Sequence, residues 1–318
     1  MAQGEFDFIR DQLKPLTLGE PAALDLSDDA ALLALKADAV LASDMLVEGV
    51  HFLQSDGPEI AAQRAFGSNL SDLAAMGAKP RGFLLSIAWP SHYAEGQRKA
   101  FIDALAILVK TEKLPLLGGD TTRSKGPLTI SITMIGEAGG HVLKRSGAAP
   151  GDQLFVSGSI GDAVLGLSMA KGELDTQPYL LERYQKPAAR IDLGQALQGL
   201  ASACIDISDG LVADAGHIAS ASGISLEIET ALLPWSAPVL HWLESEGLAG
   251  VEALITGGDD YELLFTAPAE KMADILALKR ELGVDITWIG RVEAGQGVRV
   301  LDESGAVIPF EQAGFTHF

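Results

Sequence analysis

The chain has 318 residues, 47% hydrophobic and 21% charged, with 23 Lys and Arg against 43 Asp and Glu and a net charge of −20. That length supports about two domains, and the apolar content excludes disorder as the main state. The negative excess repels nucleic-acid phosphates and anionic lipid, so neither a nucleic acid nor a membrane surface is expected as a partner. A single cysteine, Cys204, excludes an internal disulfide and a Cys-based zinc or iron–sulfur site, and it predicts a reducing, cytoplasmic compartment. The opening Met-Ala-Gln-Gly-Glu segment carries acid where a secretory signal carries basic residues.

In chain order, Ala61 to Ala78 reads as a helix that is mostly apolar and small. Gln97 to Lys113 reads as an amphipathic helix with Phe101, Ala104, Leu105 and Leu108 on one face. Pro115 introduces a short apolar run that ends in a Gly118-Gly119 turn. Leu128, Ile130, Ile132 and Met134 alternate with Thr129, Ser131 and Thr133, the period of a half-buried strand. Gln153 to Ser157 predicts a strand, and Gly158 to Gly161 turns it into a helix reaching about Lys171. Ala203 to Asp206 predicts a strand that meets a helix from about Gly210 to Ser222. Ile224, Leu226 and Ile228 alternate again, and Asp285 to Gly290 and Val298 to Leu301 read as late strands. Interleaved elements of this kind indicate a mixed α/β (α+β) protein. The turn-rich Arg145 to Asp152 stretch is the best boundary, giving domains 1–146 and 147–318.

The distinctive feature is the placement of aspartate. Six segments, carrying Asp28 and Asp29, Asp44, Asp72, Asp120, Asp206 and Asp209, and Asp259 and Asp260, each put an Asp beside Gly, Ser or Thr, embedded among apolar and small residues. Half-buried carboxylates near one another repel and take up protons. A divalent cation such as Mg²⁺ relieves this, being a hard ion that binds carboxylates, waters and phosphates together. Gly-Gly turns let backbone N–H groups approach a polyphosphate. The set therefore points to a metal–phosphate site in which Asp29, Asp44, Asp72, Asp120 and Asp209 converge on one hollow. Taken singly, the same clusters also suit helix caps and turns. No P-loop, dinucleotide Gly-x-Gly-x-x-Gly, His-Glu-x-x-His, EF-hand or Gly-x-Ser-x-Gly motif occurs.

Taken in order, the segments resemble the thiamine-monophosphate kinase family of the aminoimidazole-ribonucleotide-synthetase-like superfamily. They are Gly4-Glu5-Phe6, Ser27 to Ala31, Ser43-Asp44, Val47 to Phe52, Asn69 to Ala78 and Gly118 to Thr122, followed by Arg145-Ser146-Gly147, Asp206 to Gly210, Gly257 to Glu262 and Gly314 to Phe318. The resemblance implies ATP-dependent phosphorylation of thiamine monophosphate to thiamine diphosphate. By that resemblance Asp29, Ser43, Asp44, Asp72, Asp120, Asp206 and Asp209 are magnesium ligands, with Asp72, Asp120 and Asp209 closest to catalysis. Gly119, Asp120, Arg145 and Ser208 contact ATP, and His51, Glu262 and Phe315 contact the thiamine substrate. The implied fold pairs two α/β domains, the N-terminal one binding ATP and Mg²⁺ and forming a β-barrel with a second copy in a homodimer, the C-terminal one completing the active site. Ser27 replaces a usual Gly, and Met45 a usual Thr. Structural roles remain open for His51 (a buried, backbone-bonded histidine), Phe315 (core packing) and Arg145 (surface). Also open are a purine-precursor synthetase of the same superfamily and a non-catalytic acidic metal-binding domain.

Overall fold

The computed structural model describes residues 5–310 and 314–315. Gly4 of the first motif, and Thr316, His317 and Phe318 of the last, lie outside the described residues. The chain divides into two compact units, one of Met1–Leu73 with Lys79–Gly139 and one of Ala74–Ala78 with Gly140–Phe318.

The first unit contains α1 (Glu5–Phe8), β1 (Asp38–Val47), α2 (Gly57–Ala75), β2 (Lys79–Pro90), α3 (Glu95–Glu112), β3 (Leu116–Ser124) and β4 (Thr129–Ala138). Its sheet runs β1-β4-β2-β3, so β1 and β3 are the edges. The alternation of β4 holds: Ile130, Ile132 and Met134 are at most 1% exposed, while Thr129, Ser131 and Thr133 face the other way. Helices cover the apolar face, where Phe66 of α2 meets Phe83 edge-on at 5.6 Å and Phe101 of α3 meets Trp89 at 5.4 Å. The opposite face is open and carries Leu41 at 66% and Met45 at 58% exposure.

Gly118 and Gly119 do not form a turn. They lie inside β3, paired in parallel with Leu84 and Leu85 just after a register shift. Gly119 has φ +150°, and a β-carbon there would lie 1.8 Å from the Leu85 carbonyl oxygen. Glycine is thus required by close strand approach rather than by chain reversal. Helix α2 begins about one turn earlier than its sequence spacing predicts and ends at Ala75, with Gly77 at φ +66° beyond it.

The second unit contains β5 (Gln153–Ser157), α4 (Asp162–Ala170), α5 (Pro178–Gln185), α6 (Ile191–Ala196), β6 (Ala203–Asp206), α7 (Leu211–Ser222), β7 (Ser225–Glu229), α8 (Ala237–Thr256), β8 (Leu263–Ala267), α9 (Met272–Leu282), β9 (Ile286–Glu293) and β10 (Gly297–Leu301). Its six strands run β10-β7-β9-β5-β8-β6. Apolar side chains from both faces are buried: Leu154, Val156 and Ile205 with Leu211 and Ile218 of α7 on one, Phe155, Cys204 and Phe265 with Leu193 of α6 and Ile275 of α9 on the other. Strands covered on both sides read as continuous apolar runs, as β5, β6 and β8 do. The alternation in β7 has a different cause. Its polar residue Glu227 is 2% exposed and is enclosed by ion pairs to Arg291 and Arg299. Among the described residues no helix is long and apolar enough to cross a membrane.

Candidate active site

In the first unit, β1 and the loop after it bring Asp44 and His51 to Asn69 of α2, the helix that also carries Asp72. The Asp44 N–H donates to Asn69 Oδ1 at 2.9 Å, and Asn69 in turn donates to the Ala65 carbonyl at 2.9 Å. This ties the edge strand to the helix one turn before Asp72. Burial pushes the Asp44 carboxyl above its ordinary range, partly offset by His51 nearby. The buried Arg64 donates to the His51 carbonyl at 3.2 and 2.9 Å and anchors the loop that follows β1. His51 Nδ1 accepts the Val47 N–H at 3.0 Å, which places the ring proton of the neutral form on Nε2.

Asp72 lies in the last turn of α2, which ends at Ala75. The carbonyl end of a helix carries partial negative charge, so a carboxylate there costs roughly 0.3–1 kcal/mol. Helix capping is therefore no explanation for Asp72. A half-buried carboxylate at a helix C-terminus is an oxygen donor of the kind that suits a hard cation. Asp29 is exposed in the loop before β1, with its N–H on Asp28 Oδ1 at 2.9 Å. Ser43 lies on the open face and bonds Thr133 Oγ1 at 2.9 Å.

Asp120 is elsewhere. It pairs with Ser86 of β2, and both are exposed on the open face, whereas the next residue, Thr121, accepts from Trp89 Nε1 at 3.0 Å on the covered face. Asp44 pairs with the buried Ile132 and lies on the covered side. The two aspartates therefore sit on opposite faces and on opposite edge strands, about three strand spacings or roughly 14 Å apart across the sheet. The convergence of Asp44, Asp72 and Asp120 within one chain, expected from the sequence, is not what this sheet builds. Strand parity decides the point, and it is invisible until the pairing register is known.

In the second unit, the end of β6 carries Asp206 and the loop after it carries Ser208 and Asp209. Asp206 is 4% exposed and closes the strand. The loop is bonded to the Gly257–Glu262 segment: Ser208 O accepts from Asp259 N at 2.9 Å, and Ile207 exchanges bonds with Tyr261 and Glu262 at 2.8 Å. Gly258 lets the two backbones touch, since a β-carbon there would lie 2.1 Å from the Ser208 carbonyl oxygen. Phe315 donates its N–H to the Asp209 carbonyl at 3.1 Å and leaves its ring 52% exposed, so it is not core packing. Arg145 is exposed at the start of this unit, its carbonyl accepting from Ser222 Oγ at 3.3 Å.

Glu262 is fully buried. Its carboxylate accepts from Ser157 Oγ at 2.6 Å, Arg183 Nη2 at 2.8 Å, and Arg190 Nε and Nη2 at 2.6 and 2.5 Å. Gly158 makes the space, because a β-carbon there would lie 2.1 Å from Glu262 Oε1. Arg183 also donates to the Asp260 carbonyl at 3.2 Å and lies 3.7 Å from the Asp162 carboxylate. Burial raises the Asp260 carboxyl to about 8, so it is largely protonated near neutrality. Removing one member of such a hub leaves buried charge uncompensated. Glu262→Gln is expected to lower unfolding free energy by about 3–5 kcal/mol, measured by urea denaturation; a loss below about 1 kcal/mol, the size of an exposed pair, would contradict a closed hub.

Residues 27–138 match the family model for AIR synthase related protein, N-terminal domain, and residues 149–303 match its C-terminal domain. Thiamine-monophosphate kinase of Caulobacter vibrioides is 40% identical, over 98% of this chain and 90% of its own length. The chain belongs to the thiamine-monophosphate kinase family. The crystal structure of the thiamine-monophosphate kinase from Stenotrophomonas maltophilia matches with a TM-score of 0.85 at 37% identity, covering 97% of this chain and 99% of that one. AaThiL complexed with AMPPCP and TMP matches with a TM-score of 0.79 at 35% identity, covering 99% and 97%.

Several residues of this member of the thiamine-monophosphate kinase family escaped the sequence reading. Asn69 lay within a quoted motif but drew no attention as an amide. Arg183 and Arg190 carry no local mark of their target, 79 and 72 positions away in the sequence. Asp214 lies four residues after Gly210 with no Gly, Ser or Thr beside it.

Proposed function

We propose that this protein transfers the γ-phosphoryl group of ATP to the phosphate of thiamine monophosphate. A phosphate oxygen of the acceptor bonds to the γ-phosphorus as the bond to the β–γ bridging oxygen breaks in line, giving thiamine diphosphate and ADP. The observation that carries this reading is the near-full-length match to AaThiL, a protein captured with AMPPCP and TMP together. The acceptor is ionised near neutral pH, so no strong general base is required, and charge repulsion with alignment is the main obstacle. Mg²⁺ held by the aspartate carboxylates would supply the positive charge that offsets repulsion between the two polyanions.

In this reading Asp29, Ser43, Asp44, Asp72, Asp206 and Asp209 hold Mg²⁺. Ser208, Arg145 and Gly119 contact ATP. His51 and the exposed ring of Phe315 orient the thiamine moiety, and Glu262 contributes through Arg183 and Arg190. Asp120 is supplied by a second copy. Edge strands β1 and β3 each have an unpaired side, and Leu41 and Met45 expose apolar surface beside one of them. Pairing β1 of one copy with β3 of another in a homodimer covers that surface and brings the strand that carries Asp44 next to the strand that carries Asp120 of the other. The enzyme works in the cytoplasm on small molecules alone.

The test is to incubate the protein with ATP, Mg²⁺ and thiamine monophosphate, with thiamine as a control acceptor. Thiamine diphosphate is expected from the monophosphate only and is expected to vanish on chelation. Product that persists in excess chelator, or phosphorylation of thiamine instead, would overturn the proposal.

A further inference from the structure

The Ser208-Asp209-Gly210 loop is held in an unusual way. Helix α7 opens after Gly210, whose φ of +125° and lack of a side chain leave it with no capping group of its own. A β-carbon at Gly210 would lie 2.8 Å from the Thr256 carbonyl oxygen, so no Ser or Asp fits there. The cap comes instead from inside the helix. Asp214 reaches back one turn, and its Oδ2 accepts from three successive backbone N–H groups: Ser208 at 3.0 Å, Asp209 at 3.1 Å and Gly210 at 3.2 Å. Its side chain is 2% exposed.

Three converging N–H donors fix the backbone of Ser208, Asp209 and Gly210. The directions in which Ser208 and Asp209 project follow from that backbone. Asp214, Asp209 and His217 also have oxygen and nitrogen atoms within 4.8 Å of one another. That spacing alone would permit a shared metal ion, but an Oδ2 already engaged by three donors serves the loop first.

We propose that Asp214 is a positioning residue, whose carboxylate clamps the Ser208–Gly210 backbone and so sets Asp209 and Ser208 in the geometry that receives the metal–nucleotide. The proposal rests on the functional reading above and goes beyond it, because it gives Asp214 a role through the loop backbone rather than as a ligand. Groups that orient a ligand-bearing segment typically carry about 10–100-fold of metal affinity. Loss of the clamp is therefore read as weaker binding rather than as unfolding.

The experiment is an equilibrium titration of Mn²⁺ in the presence of ADP, followed by electron paramagnetic resonance, on wild type, Asp214→Ala, Asp214→Asn and His217→Gln. Asp214→Ala is expected to weaken binding by about 10–100-fold. Asp214→Asn keeps an acceptor oxygen for the loop and is expected to recover most of that loss, and His217→Gln is expected to bind as wild type. Alanine binding as tightly as wild type would overturn the clamp. Equal weakening in Ala, Asn and His217→Gln would overturn it too, and would make Asp214 and His217 ligands. Hydrogen exchange supplies a check that needs no variant: the amides of 208–210 are expected to be protected in the wild-type protein, and fast exchange there would contradict the clamp. Wild-type protein that binds no Mn²⁺ with ADP would overturn the nucleotide reading itself, an outcome separable because it shows before any substitution.

Discussion

Asp72→Asn is expected to lower kcat by about three orders of magnitude or more, the scale on which charge-stabilising groups act in phosphoryl transfer, while leaving the metal-free protein as stable as wild type or slightly more so. The two halves of this expectation have one cause. Asp72 stands in the last turn of α2, where the helix dipole opposes its charge. Neutralising it relieves roughly 0.3–1 kcal/mol in the empty protein. With nucleotide and Mg²⁺ present the order reverses, because a ligand that binds only the native state raises its melting temperature in proportion to ln(1 + [L]/Kd). Wild type is expected to gain stability with MgADP and the variant to gain little. Steady-state kinetics and paired melting curves check both halves. A variant that is inactive because it is unstable, or one that is stable and fully active, would remove the cation role of Asp72.

The second large effect concerns Asp120. Asp44→Asn and Asp120→Asn are each expected to be nearly inactive as pure proteins. Refolded or co-expressed together in equal amounts, they are expected to recover about a quarter of wild-type activity, since half of the random dimers are mixed and each mixed dimer holds one intact site out of two. The argument is the strand order of the first unit's sheet. Asp44 lies on edge strand β1 and Asp120 on the opposite edge strand β3, so only a second copy can bring these two strands next to each other. If one chain supplied both residues to the same site, every mixed dimer would carry one lesion in each site, and mixing would restore nothing.

Much of the fold was legible because hydrophobic periodicity reports local structure directly. The alternation from Leu128 to Met134 became β4, Gln153 to Ser157 became β5, and Ala203 to Asp206 became β6 with the bounds expected. What sequence spacing does not report is which partner a residue meets across the fold. Glu227 falls between the alternating Leu226 and Ile228, and what encloses it is two arginines from β9 and β10. The two Gly-Gly-Asp tripeptides looked alike. One lies within β3, where Gly119 admits the Leu85 carbonyl, and the other leads from α8 toward β8, where Gly258 admits the Ser208 carbonyl.

The candidate site shows the same division. Asp44 and Asp72 stand out because a charge among apolar and small residues requires a reason, and the structure sharpens the question by burying the first and setting the second at the carbonyl end of α2. Asp214 gave no such local sign, since an aspartate in the first turn of a helix is ordinary. Its role depends on reaching back to three N–H groups that Gly210 has no side chain to cap. Glu262 was legible as a distinctive residue, but the two arginines that enclose it were not, because they arrive from α5 and from just before α6.

The most direct test of the account is a crystal structure of the dimer grown with Mn²⁺ in place of Mg²⁺ and a non-hydrolysable ATP analogue, with the metals located by anomalous scattering. Metal is predicted within about 2.0–2.4 Å of carboxylate oxygens of Asp44 and Asp72, with Asp120 of the other copy on the same ion cluster. A nucleotide bound with no metal on Asp44 or Asp72 would contradict the claim that aspartate-held cations bring the two anionic reactants together.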